Sequence, residues 1–248
     1  MNEEVNHSPK RQDLLKLLPE IPKIYAPAPN LIFSVAGLHT QSMESSQGSS
    51  GEMPKYKLKK PKALAMRTRK TPKVTLVLDL DETLVHSEYI QPTYYDSVFQ
   101  VSLNGTLHSI YVSYRPGLKQ FLDRITKEFE VVIFTASMKK YAREVIKSFD
   151  PHQKIKYLLY RDYCTELNGE YIKDLRVLGR DLRHVLIVDN NKGCFMFQQR
   201  NGIEIGTWIN DQNDKELDYI YNLVMSVKDY DDIREGLYYR LNSHYSYI

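Results

Sequence analysis

A chain of 248 residues, 42% apolar and 26% charged, can bury one substantial core as a single domain or two small ones. Its net charge of +3 hides an uneven split, because residues 1–73 hold thirteen Lys or Arg against six Asp or Glu and leave the remainder mildly acidic. Two cysteines, Cys164 and Cys194, exclude a disulfide framework and offer no C-x-x-C zinc spacing; no apolar run approaches the ~20 residues of a membrane helix, and the N-terminus lacks the order of a secretory signal. The expectation is a soluble protein of a reduced compartment, nuclear or cytoplasmic.

Residues 1–73 mix Pro, Ser, Gly, Gln and charge, most clearly in Gln41–Gly51, and such a composition buries too little apolar surface to offset its ordering entropy. They are predicted to be a disordered basic tail. From Lys55 to Lys73 nine of nineteen residues are Lys or Arg and none is acidic, which suits a solvated linker, a nuclear-import signal that an import receptor would read, or attraction to nucleic acid.

The domain proper is predicted over 74–248. Val74–Leu78 reads as a buried strand. Val98–Leu103 and Leu107–Val112 alternate and are joined through Asn104-Gly105, a hairpin signal, which predicts a small inserted β-sheet around 88–114 sitting over the site as a cap. Pro116 is expected in the first turn of a helix running through Phe129 with Leu118, Phe121, Leu122 and Ile125 on one face. A strand at Glu130–Phe134, a helix at Lys139–Phe149 and a strand at Val185–Val188 follow, then helices over 214–225 and 231–241. Alternating strands and helices predict an α/β fold: a central parallel sheet covered on both faces.

The chemistry enters at Asp79-Leu80-Asp81-Glu82-Thr83, directly after the first strand. Open α/β sheets hold ligands outside the carboxyl ends of their strands, and residues i and i+2 of an extended segment point the same way, so Asp79 and Asp81 can converge while Leu80 turns away. Two close carboxylates repel unless a cation, donors or a proton intervenes; hard oxygen ligands beside phosphate select Mg2+, which implies phosphoryl transfer.

The string Leu78-Asp79-Leu80-Asp81-Glu82-Thr83-Leu84-Val85-His86-Ser87 resembles the D-x-D-x-T motif of the haloacid dehalogenase superfamily, in its small carboxy-terminal-domain phosphatase branch. Phe134–Met138 with Tyr141, Tyr171–Leu175 and Leu182–Asn190 are similar to that branch's later motifs in order and spacing. The resemblance spans roughly Val74 to Met225 and implies a Rossmann-like core and a Mg2+-dependent protein serine/threonine phosphatase working through an aspartyl-phosphate. The C-terminal repeat of RNA polymerase II is one phosphoprotein substrate it suggests.

Within that frame Asp79 is the expected nucleophile and metal ligand, and Asp81 the general acid and then base, its backbone carbonyl a further metal ligand. Lys173 supplies a cation and Thr135 a hydroxyl for the transferred group, Thr135 also serving as a helix N-cap. Asn190 is the expected side-chain metal ligand. Asp189 holds either a metal-bound water or Lys173. Thr83 shapes the turn, and His86 is structural. Arg161 either reads substrate or pairs with Asp162 at the surface. By the same resemblance Tyr89, Val101, Leu103, Ile110, Met138 and Tyr141 line an apolar substrate pocket, with core packing the alternative for each. The rivals are a small-metabolite phosphatase, which needs a larger cap, and a non-catalytic binding module, which tends to lose the paired aspartates.

Overall fold

The computed structural model describes residues 62–103 and 106–242, apart from the side chains of Leu103 and Thr106. Its strands are β1 (Thr75–Leu78), β2 (Val85–Glu88), β3 (Ser97–Leu103), β4 (Thr106–Tyr114), β5 (Glu130–Phe134), β6 (Tyr157–Leu159), β7 (Thr165–Leu167), β8 (Glu170–Ile172), β9 (Val185–Asp189) and β10 (Gly202–Glu204). Its α-helices are α1 (Leu118–Glu128), α2 (Lys139–Phe149), α3 (Glu216–Val227) and α4 (Ile233–Asn242).

Five strands form one parallel sheet in the order β10-β9-β1-β5-β6. The chain therefore starts in the middle, builds outward through β5 and β6, then returns to the other side of β1 for β9 and β10. In doubly wound sheets that reversal opens a crevice at the carboxyl ends of the two central strands, here β1 and β9. Leu78 lies beside Val188 in the register, and the Asp79 N–H donates to the Val188 carbonyl at 2.9 Å. The segments that follow both strands thus leave the sheet together.

Side-chain alternation divides the core between the two faces. Leu76, Leu78, Val131, Ile133, Leu186 and Val188 pack against all four α-helices, while Val77, Val132, Phe134, Val185 and Ile187 pack against Leu175, Val177, Leu178 and Phe195. Both faces are covered, but only one by α-helices. The other is covered by short 3-10 turns (Leu175–Leu178 and Lys192–Asn201), whose hydrophobic spacing follows no 3.6-residue period.

The inserted sheet has three antiparallel strands in the order β2-β4-β3. The hairpin pairs through Leu103 and Thr106; its turn residues 104 and 105 lie outside the described residues. Pro116 stands before α1 instead of in its first turn. The Leu118 N–H donates to the Arg115 carbonyl at 3.1 Å across Pro116 and Gly117, and Gly117 takes φ +80° and ψ 0°, so the pair forms a type II turn that requires glycine at its third position.

Part of the tail expected over 1–73 packs against the domain. Leu64 is buried in the second core cluster, and the Ala63 N–H donates to the Val177 carbonyl at 2.6 Å. Residues 1–61, with most of the expected tail and the start of its basic stretch, lie outside the described residues.

At the amino end of the sheet, Glu130 accepts from Thr75 Oγ1 at 2.7 Å and from Arg180 Nε and Nη2 at 2.7 Å each, while Arg180 Nη2 also donates to the Ala65 carbonyl at 2.9 Å. Burial alone would raise the Glu130 carboxyl, but the Arg180 guanidinium and the Thr75 hydroxyl outweigh it and hold the group below its ordinary value. A depressed carboxylate contributes stability above its unfolded pKa and loses it as pH falls through the folded one. Urea unfolding below the ordinary glutamate range should therefore show a steep acid loss that Glu130→Gln flattens. Arg180→Met, which strands a buried carboxylate, should cost about 3 kcal/mol at neutral pH.

Candidate active site

Asp79 and Asp81 follow the central strand, yet they lie in different surroundings. Leu80 between them is fully buried in the main core. Glu82 then takes φ +57° and turns the chain back, so that its N–H donates to the Val85 carbonyl at 2.8 Å and β2 can begin. Arg115 braces this turn from below. It is 1% exposed, donates Nη1 to the Thr83 carbonyl at 3.1 Å, and is gripped by Asp214 through Nε at 2.8 Å and Nη2 at 2.7 Å.

Asp79 sits on a cation. Lys173, 1% exposed at the end of β8, donates Nζ to Asp79 Oδ1 and to Asp189 Oδ2, the latter at 2.6 Å. Burial would lower the lysine, but the charges of Asp189 and Asp79 overcome it and hold the ammonium well above its ordinary pKa. Burial outweighs Lys173 at Asp189 and lifts that carboxyl. The other oxygen of Asp189 accepts from the Asn191 N–H at 2.9 Å, and the Lys173 N–H donates to the Cys194 carbonyl at 2.6 Å, so the ion trio is also held through its backbone. Lys173, one of the two partners expected for Asp189, is in contact with it.

Asp81 sits among hydroxyls. Its Oδ1 accepts from the Tyr141 phenol at 2.6 Å; its Oδ2 accepts from Ser137 Oγ at 2.7 Å and Thr135 Oγ1 at 3.3 Å. Burial first, then the charges of Asp79 and Glu82, push the carboxyl up to about 6 against these donors. Burial and the Asp81 charge raise Tyr141 well above the ordinary phenol, which keeps it a donor.

Thr83 does more than shape the turn. Its Oγ1 donates to Asp79 Oδ2 at 2.8 Å and lies 3.3 Å from Asn190 Oδ1. One hydroxyl therefore gathers a carboxylate oxygen and an amide oxygen into one place, a hard-oxygen donor set that fits a small divalent cation. Among the described residues no group of three His, Cys, Asp or Glu side chains is arranged to hold a metal.

Several expected roles change. Thr135 does not cap α2: the N-cap is Met138, without a side-chain bond, and Thr135 Oγ1 instead accepts from the Ser137 N–H at 2.9 Å. Tyr141 donates its phenol to Asp81, while its ring packs against the main core. Ile110 is 2% exposed inside the main core, since that face of β4 packs inward, and Val101 leans on the same core. Tyr89 and Met138 are 39% and 38% exposed, and the Asp81 charge acts on the Tyr89 phenol. The Leu103 side chain lies outside the described residues. Arg161 donates Nε to the Ala136 carbonyl at 2.6 Å and stacks 4.8 Å over the Tyr171 ring, which ties it to the loop after β5 and to β8. His86 pairs with Glu82 at 3.0 Å.

Ser137 and Arg115 were not expected from sequence. Ser137 lies in the string Phe134–Met138 two residues after Thr135, which was the available signal. Arg115 had none, because its partner is 99 residues away.

The family model described as "NLI interacting factor-like phosphatase" matches residues 74–234. The chain is 44% identical over 174 residues to CTD small phosphatase-like protein 2 of Dictyostelium discoideum, covering 70% of this chain and 31% of that protein. It is 42% identical over 186 residues to CTD small phosphatase-like protein 3 of Caenorhabditis elegans, covering 73% and 65%. To the human carboxy-terminal domain RNA polymerase II polypeptide A small phosphatase 1 it is 38% identical over 161 residues, covering 65% and 62%. The chain thus spans from about a third to just under two thirds of the length of these relatives.

Replacing Lys173 by Met would leave Asp79 and Asp189 as two buried carboxylates without a counter-charge. The expected loss at neutral pH is about 3 kcal/mol in urea unfolding. Adding Asp189→Asn should recover part of that stability.

Proposed function

This chain belongs to the NLI interacting factor-like phosphatase family, and on that premise we propose that it hydrolyses phosphoserine and phosphothreonine in proteins, with Asp79 as nucleophile and Asp81 as general acid and base. The observation that carries the reading is the division of the two carboxylates. Asp79 lies against the Lys173 ammonium, while Asp81 lies among hydroxyls where burial favours its proton.

In the first displacement an Asp79 oxygen bonds to phosphorus as the bond to the serine oxygen breaks. The departing electron pair stays with that oxygen, which takes the proton of Asp81. Asp81, now a carboxylate, accepts a proton from water as the water attacks the aspartyl-phosphate, and Asp79 is released. Lys173 lies against the nucleophile, where its charge offsets that of the incoming phosphoryl oxygens. Thr135, one contact from Asp81, is the hydroxyl assigned to that group. Asp79, Asn190 and the Asp81 carbonyl would hold Mg2+. When bound, it would neutralise phosphoryl charge.

The small β2-β4-β3 insertion supports a macromolecular substrate, since small-metabolite phosphatases of this superfamily close a larger cap over theirs. One relative is named for the carboxy-terminal domain of RNA polymerase II; the phosphoserines of that repeat are the first substrate to try, and the nucleus the first compartment. Among the described residues no helix is long and apolar enough to cross a membrane.

Wild-type protein with Mg2+ should release phosphate from an aryl phosphate and from phosphoserine peptides, and a chelator should abolish both. Asp79→Asn should lower turnover by at least about 10³-fold without unfolding the protein. Efficient release from sugar phosphates with none from phosphopeptides would overturn the substrate class, and a folded wild type inert with Mg2+ would overturn the activity.

A further inference from the structure

Both oxygens of Asp81 are engaged by side-chain hydroxyls from one short stretch, Thr135 to Tyr141, that begins at the end of β5 and runs into α2. Ser137 reaches Oδ2 at 2.7 Å and Tyr141 reaches Oδ1 at 2.6 Å. One hydrogen bond would leave a carboxyl group free to turn about its bond to Cβ. Two from opposite sides fix its plane.

The donors are themselves fixed. Ser137 is 9% exposed; its N–H donates to Thr135 Oγ1 at 2.9 Å, and its carbonyl accepts from the Arg161 N–H at 3.1 Å. The Tyr141 phenol oxygen also lies 2.7 Å from Ser87 Oγ on β2, and its ring lies 6.4 Å from that of Phe99 on β3. The carboxyl group is thus referenced at once to the parallel sheet, through Ser137, and to the inserted sheet, through Tyr141.

Resting on the phosphatase reading above, we propose that Ser137 and Tyr141 are positioning residues for the leaving-group step, holding the Asp81 carboxyl so that its proton meets the oxygen that departs. Neither touches the phosphoryl group or exchanges a proton in the reaction. The proton passes from Asp81 to the serine oxygen as the phosphorus–oxygen bond breaks and returns to Asp81 from the attacking water. A serine or threonine alkoxide cannot leave without that proton, whereas a phenolate stabilised by a nitro group can. The clamp therefore matters in proportion to how poor the leaving group is, as expected for groups that orient a general acid.

The experiment compares kcat and KM for a phosphoserine peptide and for p-nitrophenyl phosphate, using wild type, Ser137→Ala, Tyr141→Phe and the double variant, with Mg2+. Both substitutions keep the packing, since Phe retains the ring beside Phe99, and thermal unfolding checks each fold. The double variant should lose about 100-fold in kcat on the peptide with KM little changed, and its loss on the aryl phosphate should be at least tenfold smaller. Each single variant should show the same asymmetry to a lesser degree, and Ser137→Thr, which keeps the hydroxyl, should recover most of the loss of Ser137→Ala. Equal losses on the two substrates would overturn the proposal in favour of a general structural role. A rise in peptide KM at constant kcat would overturn it in favour of substrate contact. Wild type inert toward both substrates would overturn the phosphatase reading itself, and this proposal with it.

Discussion

A lysine ammonium buried between two carboxylates is the constraint on which the site depends. Asp79 leaves β1 and Asp189 ends β9, the two strands between which the sheet reverses its order. Two acids at adjacent strand ends, shielded from water, would repel each other and resist ionisation. Lys173 places a positive charge between them, because β8 and the turn after it deliver it there with its own N–H tied to Cys194. A buried charge without its partners costs several kcal/mol, so the trio is held as a unit. It joins the sheet to the β7-β8 hairpin on the face covered by the 3-10 turns.

From that anchor the second carboxylate acquires its different character. Asp81 is two residues from Asp79, yet it points to Thr135, Ser137 and Tyr141 and meets no cation among them. Its proton is favoured by burial and by the negative charges of Asp79 and Glu82, and its orientation by the hydroxyls. Two like carboxylates two residues apart thus stand in different surroundings, one on a cation and one among hydroxyls. The turn that follows them, at Glu82 and Thr83, is itself braced by Arg115 and Asp214, which link the start of the C-terminal helices to the loop that bears both aspartates.

Much of this was legible in the sequence where the signal is periodic or local. The buried strand before Asp79, the strands at 130–134 and 185–188, the helix at 139–149 and the hairpin alternation all follow from side-chain spacing, and they put the D-x-D pair at a sheet end. What was not legible depends on partners far away in the chain. Strands β6, β7 and β8 have three residues each, too short for a period, and exist because neighbours supply their hydrogen bonds. Leu64 sits in a stretch whose composition reads as linker, but its own burial and the bonds made by the Ala63 N–H and the Ala65 carbonyl dock it. The resemblance groups Ile110 and Tyr141 in one apolar pocket. In the fold, pleat direction sends the first into the core, and the phenol oxygen takes the second to Asp81.

The central claim is that Asp79 forms a covalent bond to phosphorus. Its most direct test is to quench the protein with acid during turnover of a phosphorylated substrate and map the phosphate on the peptides by mass. The account predicts a hydroxylamine-labile phosphate on the peptide containing Asp79, and on Asp79 within it. An active protein that carries no such adduct, or carries it on another residue, would contradict the account and leave the pairing of Asp79 with Lys173 without a catalytic meaning.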